Sequence, residues 1–209
     1  MIPSIALDYT PRQWQRDCHL KKQRFSVYAL HRRAGKTELA IMELIDKAMK
    51  TEKELGMFIY VCPFLRQAKA VAWGRLKGKL EPLRRTSLID INEGELSVKF
   101  KHNGAIIRIF GGDNADALRG LRLDGAILDE VSNIKVELWN DVIQPALSDR
   151  LGWAIFIGTP SGINLFSELY YKGLEEDGWT AARYTAVSYT HLRAHETVLD
   201  LVCRLLLEK

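Results

Sequence analysis

Residues 25–50 read FSVYALHRRAGKTELAIMELIDKAMK, and their interpretation decides the fold. FSVYALH has the continuous apolar character of a buried strand, and KTELAIMELIDKAMK repeats apolar residues at helical spacing through Leu39, Met42, Ile45 and Met49. Between them lies Gly35-Lys36-Thr37, the end of a phosphate-binding loop pattern. The full pattern, G-x-x-x-x-G-K-[ST], asks for glycine at position 30, where this chain has Leu30. A Gly-Lys-Thr tripeptide alone is common, so the rest of the chain has to decide whether this loop works.

Moving outward, strands and helices alternate. GMFIYVCP (56–63) is a second apolar strand ended by Pro63, and FLRQAKAVAWGRLKGKL (64–80) a second helix. ELSVKFKHNGAIIRIFGG (95–112) forms two alternating arms around His102-Asn103-Gly104, and Asn-Gly is a strong hairpin turn. DGAILDE and GWAIFIGTP are two more core strands. VELWNDVIQPALSDR is a helix with a break expected at Pro145, and NLFSELYYKGLEEDG is a further helix. This order predicts an α/β fold, a mostly parallel central sheet with helices on both faces. In such folds a strand–loop–helix turn binds phosphate at the carboxyl edge of the sheet.

That context gives the loop a chemistry. Backbone N–H groups from Arg33, Ala34, Gly35, Lys36 and Thr37 are placed to wrap phosphate oxygens, aided by the helix N-terminus. Lys36 neutralises the β- and γ-phosphates of a nucleotide, and the Thr37 hydroxyl ligates Mg²⁺. AILDE then delivers Asp129 and Glu130 to the same edge. Adjacent carboxylates after a buried strand are costly without a cation to hold them. Asp129 is the expected direct or indirect Mg²⁺ ligand, and Glu130 the base that orients and deprotonates the attacking water. The bland alternatives are an ordinary strand-to-helix turn and a strand exiting to an acidic cap; the two motifs together outweigh both.

At this point the sequence resembles the N-terminal ATPase domain of the large subunit of tailed-bacteriophage terminases, the ATP-driven DNA-packaging motors. YTPRQWQ looks like the family's adenine-recognising motif, with Gln15 the best match and Gln13 the alternative. HRRAGKT looks like its deviant Walker A loop, which often lacks the first glycine. YVCPFLRQAK, GGDNADALRGLRLDGAILDE with the Walker B carboxylates, and FIGTPSG with Thr159 as the coupling residue follow in the family's order. The resemblance covers about residues 9–185 and implies a P-loop NTPase fold of the additional-strand catalytic-glutamate (ASCE) type, an ATPase with ATP and Mg²⁺ as cofactors. By the resemblance, Arg32 contacts the γ-phosphate in cis, Arg33 is a solvated or DNA-side charge, and Arg119 is a finger reaching into the neighbouring subunit. It also implies double-stranded viral DNA, the portal protein and the small terminase subunit as partners. A homo-oligomeric ring, action in the cytoplasm of the infected bacterial host, and an RNase H-like nuclease beyond this chain follow as well. A helicase-like nucleic-acid-remodelling ATPase shares the glutamine motif and the Asp-Glu pair and is the second reading. A ring component that binds nucleotide without hydrolysis is the third, and Lys36, Asp129 and Glu130 together speak against it.

Composition agrees without adding much. The 209 residues are 47% hydrophobic and 27% charged, with a net charge of +4 that permits an anionic partner. Three cysteines form no metal-ligand pattern and fit a reducing compartment. No apolar run is long enough for a membrane span or a signal peptide. Arg66, Lys69, Trp73 and Lys77 share one helix face, which suits either phosphate-backbone contact or a solvated face with a half-buried tryptophan. Residues 187–209, VSYTHLRAHETVLDLVCRLLLEK, resemble a translated transposase-type sequencing adapter, although Leu199, Val202 and Leu206 could share a helical face. The expectation is an ATPase domain over 1–186, cut before the nuclease, and a non-native tail over 187–209 whose His191, His195 and Cys203 carry no function.

Overall fold

The structure is a computed structural model and describes residues 7–185; the expected adapter-derived tail, 187–209, lies outside them. Eight strands form one sheet: β1 (Phe25–Leu30), β2 (Met57–Cys62), β3 (Ile89–Asn92), β4 (Ser97–Phe100), β5 (Ile106–Gly111), β6 (Gly125–Asp129), β7 (Trp153–Gly158) and β8 (Trp179–Tyr184). Their spatial order is β3-β4-β5-β2-β6-β7-β1-β8. From β5 to β8 every pairing is parallel, and the β3-β4-β5 meander at one edge is antiparallel. The parallel part accounts for the unbroken apolar runs, because a strand covered on both faces has no polar side to alternate with.

Helices α1 (Gln13–Lys21), α2 (Lys36–Lys50), α3 (Leu65–Ala68), α4 (Gly74–Arg85), α5 (Gln144–Ser148) and α6 (Leu165–Glu175) cover the two faces. Alternate strand residues separate cleanly between them. Tyr28, Leu30, Phe58, Tyr60, Ile127 and Ile155 pack with Leu39, Leu44 and Ile45 of α2 and with Leu76 and Leu80 of α4. Val27, Ile59, Val61, Leu128 and Phe156 pack with Trp139, Ile143, Leu147 and Phe166 on the other side. The period-2 alternation therefore builds two cores on one sheet.

Leu30 resolves the irregular loop pattern. It is the last residue of β1, pairs in register with Tyr184, and is 0% exposed. The strand simply runs one residue further than the usual pattern implies. Burying this side chain contributes about 2 kcal/mol, and a glycine there would leave a cavity.

Three expectations need correction. α3 and α4 are two halves of one helix joined by a π-turn over Lys69–Trp73. The helix does not break at Pro145; a π-turn over Leu138–Ile143 leads into α5, and Pro145 sits in its first turn. A proline in a first turn lacks only an N–H that would have had no helical partner, and the wide turn before it makes room for the ring. Two edge strands were missed. β3 (IDIN) is short and half polar, and β8 (WTAARY) is only partly covered, so neither carries a buried-strand signature.

Candidate functional site

Two elements bring the charged residues together. Lys36 and Thr37 open α2 directly after the loop leaving β1. Asp129 ends β6, and Glu130 follows it. β7 lies between β1 and β6, so the Lys36 side chain must cross a strand's width to meet the carboxylates. Its Nζ lies 2.5 Å from Glu130 Oε1 and 3.7 Å from Asp129 Oδ1.

Asp129 is 2% exposed. Its Oδ2 accepts a hydrogen bond from Tyr60 Oη at 2.5 Å, and its Oδ1 accepts one from the Glu130 N–H at 2.8 Å. Burial pushes this carboxyl above the usual range despite Lys36 and the Tyr60 hydrogen bond, with the nearby Glu130 charge adding to the shift. One ammonium thus serves two carboxylates, and the buried one remains short of positive charge. The Tyr60 phenol is itself held well above its ordinary value, by burial first and the Asp129 charge second, while the Thr37 side chain beside it acts the other way. Glu130 sits at φ 55°, in the left-handed region that costs a side-chain-bearing residue roughly 1–2 kcal/mol. The turn aims its carboxylate back at Lys36.

The loop presents donors on one side and carbonyls on the other. Gly35 adopts φ 95°, which glycine tolerates and other residues do not, and Arg33 is left-handed at φ 64°. No side chain caps Gly35, so the first amides and positive dipole end of α2 face the loop. Ala34 departs from the expectation: its N–H closes a turn on His31 O at 3.3 Å. On the carbonyl side Arg12 Nη1 donates to Ala34 O at 3.0 Å and Gln15 Nε2 donates to Gly35 O at 3.2 Å. Gln15 is 3% exposed, and its Oε1 accepts from the Arg12 N–H at 2.8 Å. Of the two glutamines, only Gln15 reaches the loop; Gln13 lies on the exposed face of α1 and donates to Asp17.

Thr159 follows the end of β7 and ties three segments together. Its hydroxyl donates to Leu30 O at 3.3 Å, and its carbonyl accepts from Ser132 Oγ at 3.1 Å. It thereby joins the entry of the loop to the turn after Glu130. The arginines are not gathered in. Arg32 and Arg33 are exposed, with no partner for either guanidinium among the described residues. Arg119 follows the short 3₁₀ turn Ala115–Leu118 and holds an exposed 3.5 Å ion pair with Asp116. On the basic stripe, Trp73 is core, 3% exposed where the sequence suggested a half-buried ring, and its Nε1 donates to Glu93, which also binds Lys77.

Sequence reading missed Tyr60, Arg12 and Ser132. Tyr60 had one available signal, a phenol inside an otherwise apolar strand, since a buried hydroxyl needs a partner. Arg12 and Ser132 had none, because their roles depend on which backbone carbonyls come near. The arrangement suits a nucleotide with a divalent cation: uncapped amides and Lys36 for phosphates, with the Thr37 hydroxyl and the under-compensated Asp129 for the metal. Among the described residues no group of three or more His, Cys, Asp or Glu forms a separate metal cluster. None of their helices is long and apolar enough to cross a membrane.

One strand inserted between the loop strand and the carboxylate strand, with Lys36 bridging the gap, defines a P-loop NTPase of the ASCE type. The family described as terminase large subunit, T4likevirus-type, N-terminal, matches residues 28–202. The terminase large subunit of Thermus phage G20c is 31% identical over 183 residues, 80% of this chain and 37% of that protein. The corresponding protein of Escherichia phage T5 is 24% identical over 162 residues, 74% of this chain and 34% of that protein. Among solved structures, the Thermus phage P74-26 large terminase ATPase domain aligns with a TM-score of 0.79 at 24% identity, over 90% of this chain and 86% of that one. A large terminase from a thermophilic bacteriophage, in complex with ADP, aligns at 0.67 and 20% identity, over 87% of this chain and 45% of that one. The chain belongs to the terminase large subunit family and matches its N-terminal part; it spans a little over a third of the G20c relative's length, 37%.

Proposed function

We propose that this chain is the ATP-hydrolysing motor domain of a phage terminase large subunit, driving double-stranded viral DNA into a procapsid. The observation that carries the reading is Lys36 placed between the loop and both carboxylates, 2.5 Å from Glu130 and 3.7 Å from Asp129. Lys36 and the α2 amides hold the phosphates. Thr37 and Asp129 would hold Mg²⁺, which would supply neutralisation of the phosphoryl charge. Glu130 exchanges its Lys36 contact for the attacking water and takes its proton. Gln15 serves the nucleotide through the loop it supports, Arg32 meets the γ-phosphate in cis, and Arg119 reaches the site of a neighbouring subunit in a ring. Thr159 passes the change at the γ-phosphate position to β1 and to the Glu130 turn. The portal and the small terminase subunit are the partners of such a motor, in the host cytoplasm. Residues 187–209 stand outside the motor in this reading.

The test separates two routes to the same loss. Lys36→Ala weakens ATP binding itself, read by fluorescent-nucleotide titration. Glu130→Ala keeps ATP binding and lowers turnover about 10²–10⁴-fold, the usual contribution of a general base. Parental turnover in Glu130→Ala would remove Glu130 from the mechanism.

A further inference from the structure

Tyr60 has no role in the scheme above, yet it sits at the centre of the site. Its strand is otherwise apolar over Met57–Cys62, and the ring is buried on the α2 side of the sheet. It pairs in register with Ile127, two residues before Asp129 and on the same face. The phenol's hydrogen bond enters the site. Oη donates to Asp129 Oδ2 at 2.5 Å, and the Thr37 and Cys62 side chains lie beside the phenol.

We propose that Tyr60 is a positioning residue that orients the Asp129 carboxylate, through the hydrogen bond from its phenol, for holding a divalent cation. The inference rests on the reading of Thr37 and Asp129 as the metal-side residues. The phenol has one proton to give, and its donation fixes Asp129 Oδ2 while the Glu130 N–H fixes Oδ1. Both carboxylate oxygens are thereby held. Removing the phenol oxygen lets the Asp129 carboxylate turn. The loop amides, and the Lys36 contact with Glu130, are left in place. An ordinary core hydrogen bond would affect stability and leave metal dependence alone, so metal dependence separates the two roles.

Mn²⁺ binding to the ADP complex of this chain, followed by loss of the free-Mn²⁺ EPR signal, reads the effect without turnover. Tyr60→Phe is expected to raise the Mn²⁺ concentration for half-saturation about tenfold or more, the usual cost of losing an outer-sphere partner of a metal ligand. ADP affinity in EDTA should match the parent. An unchanged Mn²⁺ requirement in folded Tyr60→Phe overturns the proposal while leaving the nucleotide reading intact. A parent chain that binds ADP neither with nor without metal overturns both. Should Tyr60→Phe fail to fold, 3-fluorotyrosine incorporated at position 60 keeps the shape and the hydroxyl. Its ¹⁹F resonance must then move when Mg²⁺ is added to the ADP complex, and a resonance that Mg²⁺ leaves in place overturns the proposal.

Discussion

The two ends of β6 carry the same residue type in opposite circumstances. Asp124, just before the strand, is 4% exposed and well supplied. Arg150 Nε lies 2.8 Å from its Oδ1, Lys53 Nζ lies 3.2 Å from the same oxygen, and the Met57 N–H donates to Oδ2 at 3.0 Å. Asp129, at the other end, shares one ammonium with Glu130 and is pushed toward its protonated form by burial. The first carboxylate is a strut: its charge is answered by two cations and ties β2, β6 and the segment before β7 together. The second is held in a state that an added cation would relieve. Burial alone does not distinguish structural acids from functional ones; the ratio of acids to bases around them does.

The comparison can be broken most decisively by exchanging the phenotypes. Glu130→Ala has the largest expected effect, a turnover loss of about 10²–10⁴-fold, with an unfolding curve close to the parent's. Asp124→Asn should do the reverse, losing about 2 kcal/mol of stability by urea titration while ATP affinity in the folded fraction is kept. If Asp124→Asn proved neutral, or Asp129→Asn proved the more destabilising of the pair, the contrast between the ends would collapse.

Glu43, within α2, sharpens the same contrast by pH. It is 2% exposed, with His19 Nδ1 at 2.7 Å from one oxygen and Lys22 on the other. Burial raises its carboxyl, but the hydrogen bonds from His19 and Lys22 outweigh this and hold it below its ordinary 4.5. The sign follows: a folded-state value below the unfolded one gives stability that is present above about pH 4.5 and is lost as pH falls through the folded value. Glu43→Gln should therefore cost roughly 1–2 kcal/mol at pH 7, and the gap between variant and parent should close as the solution is acidified below that range. A gap independent of pH would mean that shape, not charge, carries the contact.

The smallest effect is expected at Gln15. Its amide supports the loop at Gly35 O, so under the proposed function Gln15→Ala should weaken ATP and GTP alike, about fivefold for the loss of one hydrogen bond of about 1 kcal/mol. A loss confined to adenine nucleotides would show that the side chain reads the base.

The contrast also explains what the sequence made legible. The buried strands β1, β2, β6 and β7 show as apolar runs because both their faces are covered, and the carboxylate pair stands out against AIL. Asp124 reads only as the start of a strand, since Arg150 and Lys53 come to it from distant positions. Tyr60 likewise looks like one more aromatic of an apolar strand until β2 and β6 are set side by side. The edge strands β3 and β8 and the π-turns at Lys69–Trp73 and Leu138–Ile143 are fixed by packing against neighbours. Local pattern carries no trace of them. Lys36, Thr37, Asp129 and Glu130 were legible because their chemistry is written in residue type. The supports of the loop, Arg12 and Gln15 on its carbonyls, depend on where backbone oxygens happen to point.

The left-handed turn at Glu130 has a consequence for any effort to make this protein hardier. At φ 55° a glycine, free of a β-carbon, would relax the backbone, and the neighbouring carboxylate would be relieved of a like charge. A library selected for heat resistance alone should therefore accumulate glycine or asparagine at position 130 and yield sturdy proteins that bind nucleotide and do no work. With Glu130 in its proposed role, selection for robustness and selection for turnover would pull this one position in opposite directions, so a stabilised version would have to be sought everywhere except there.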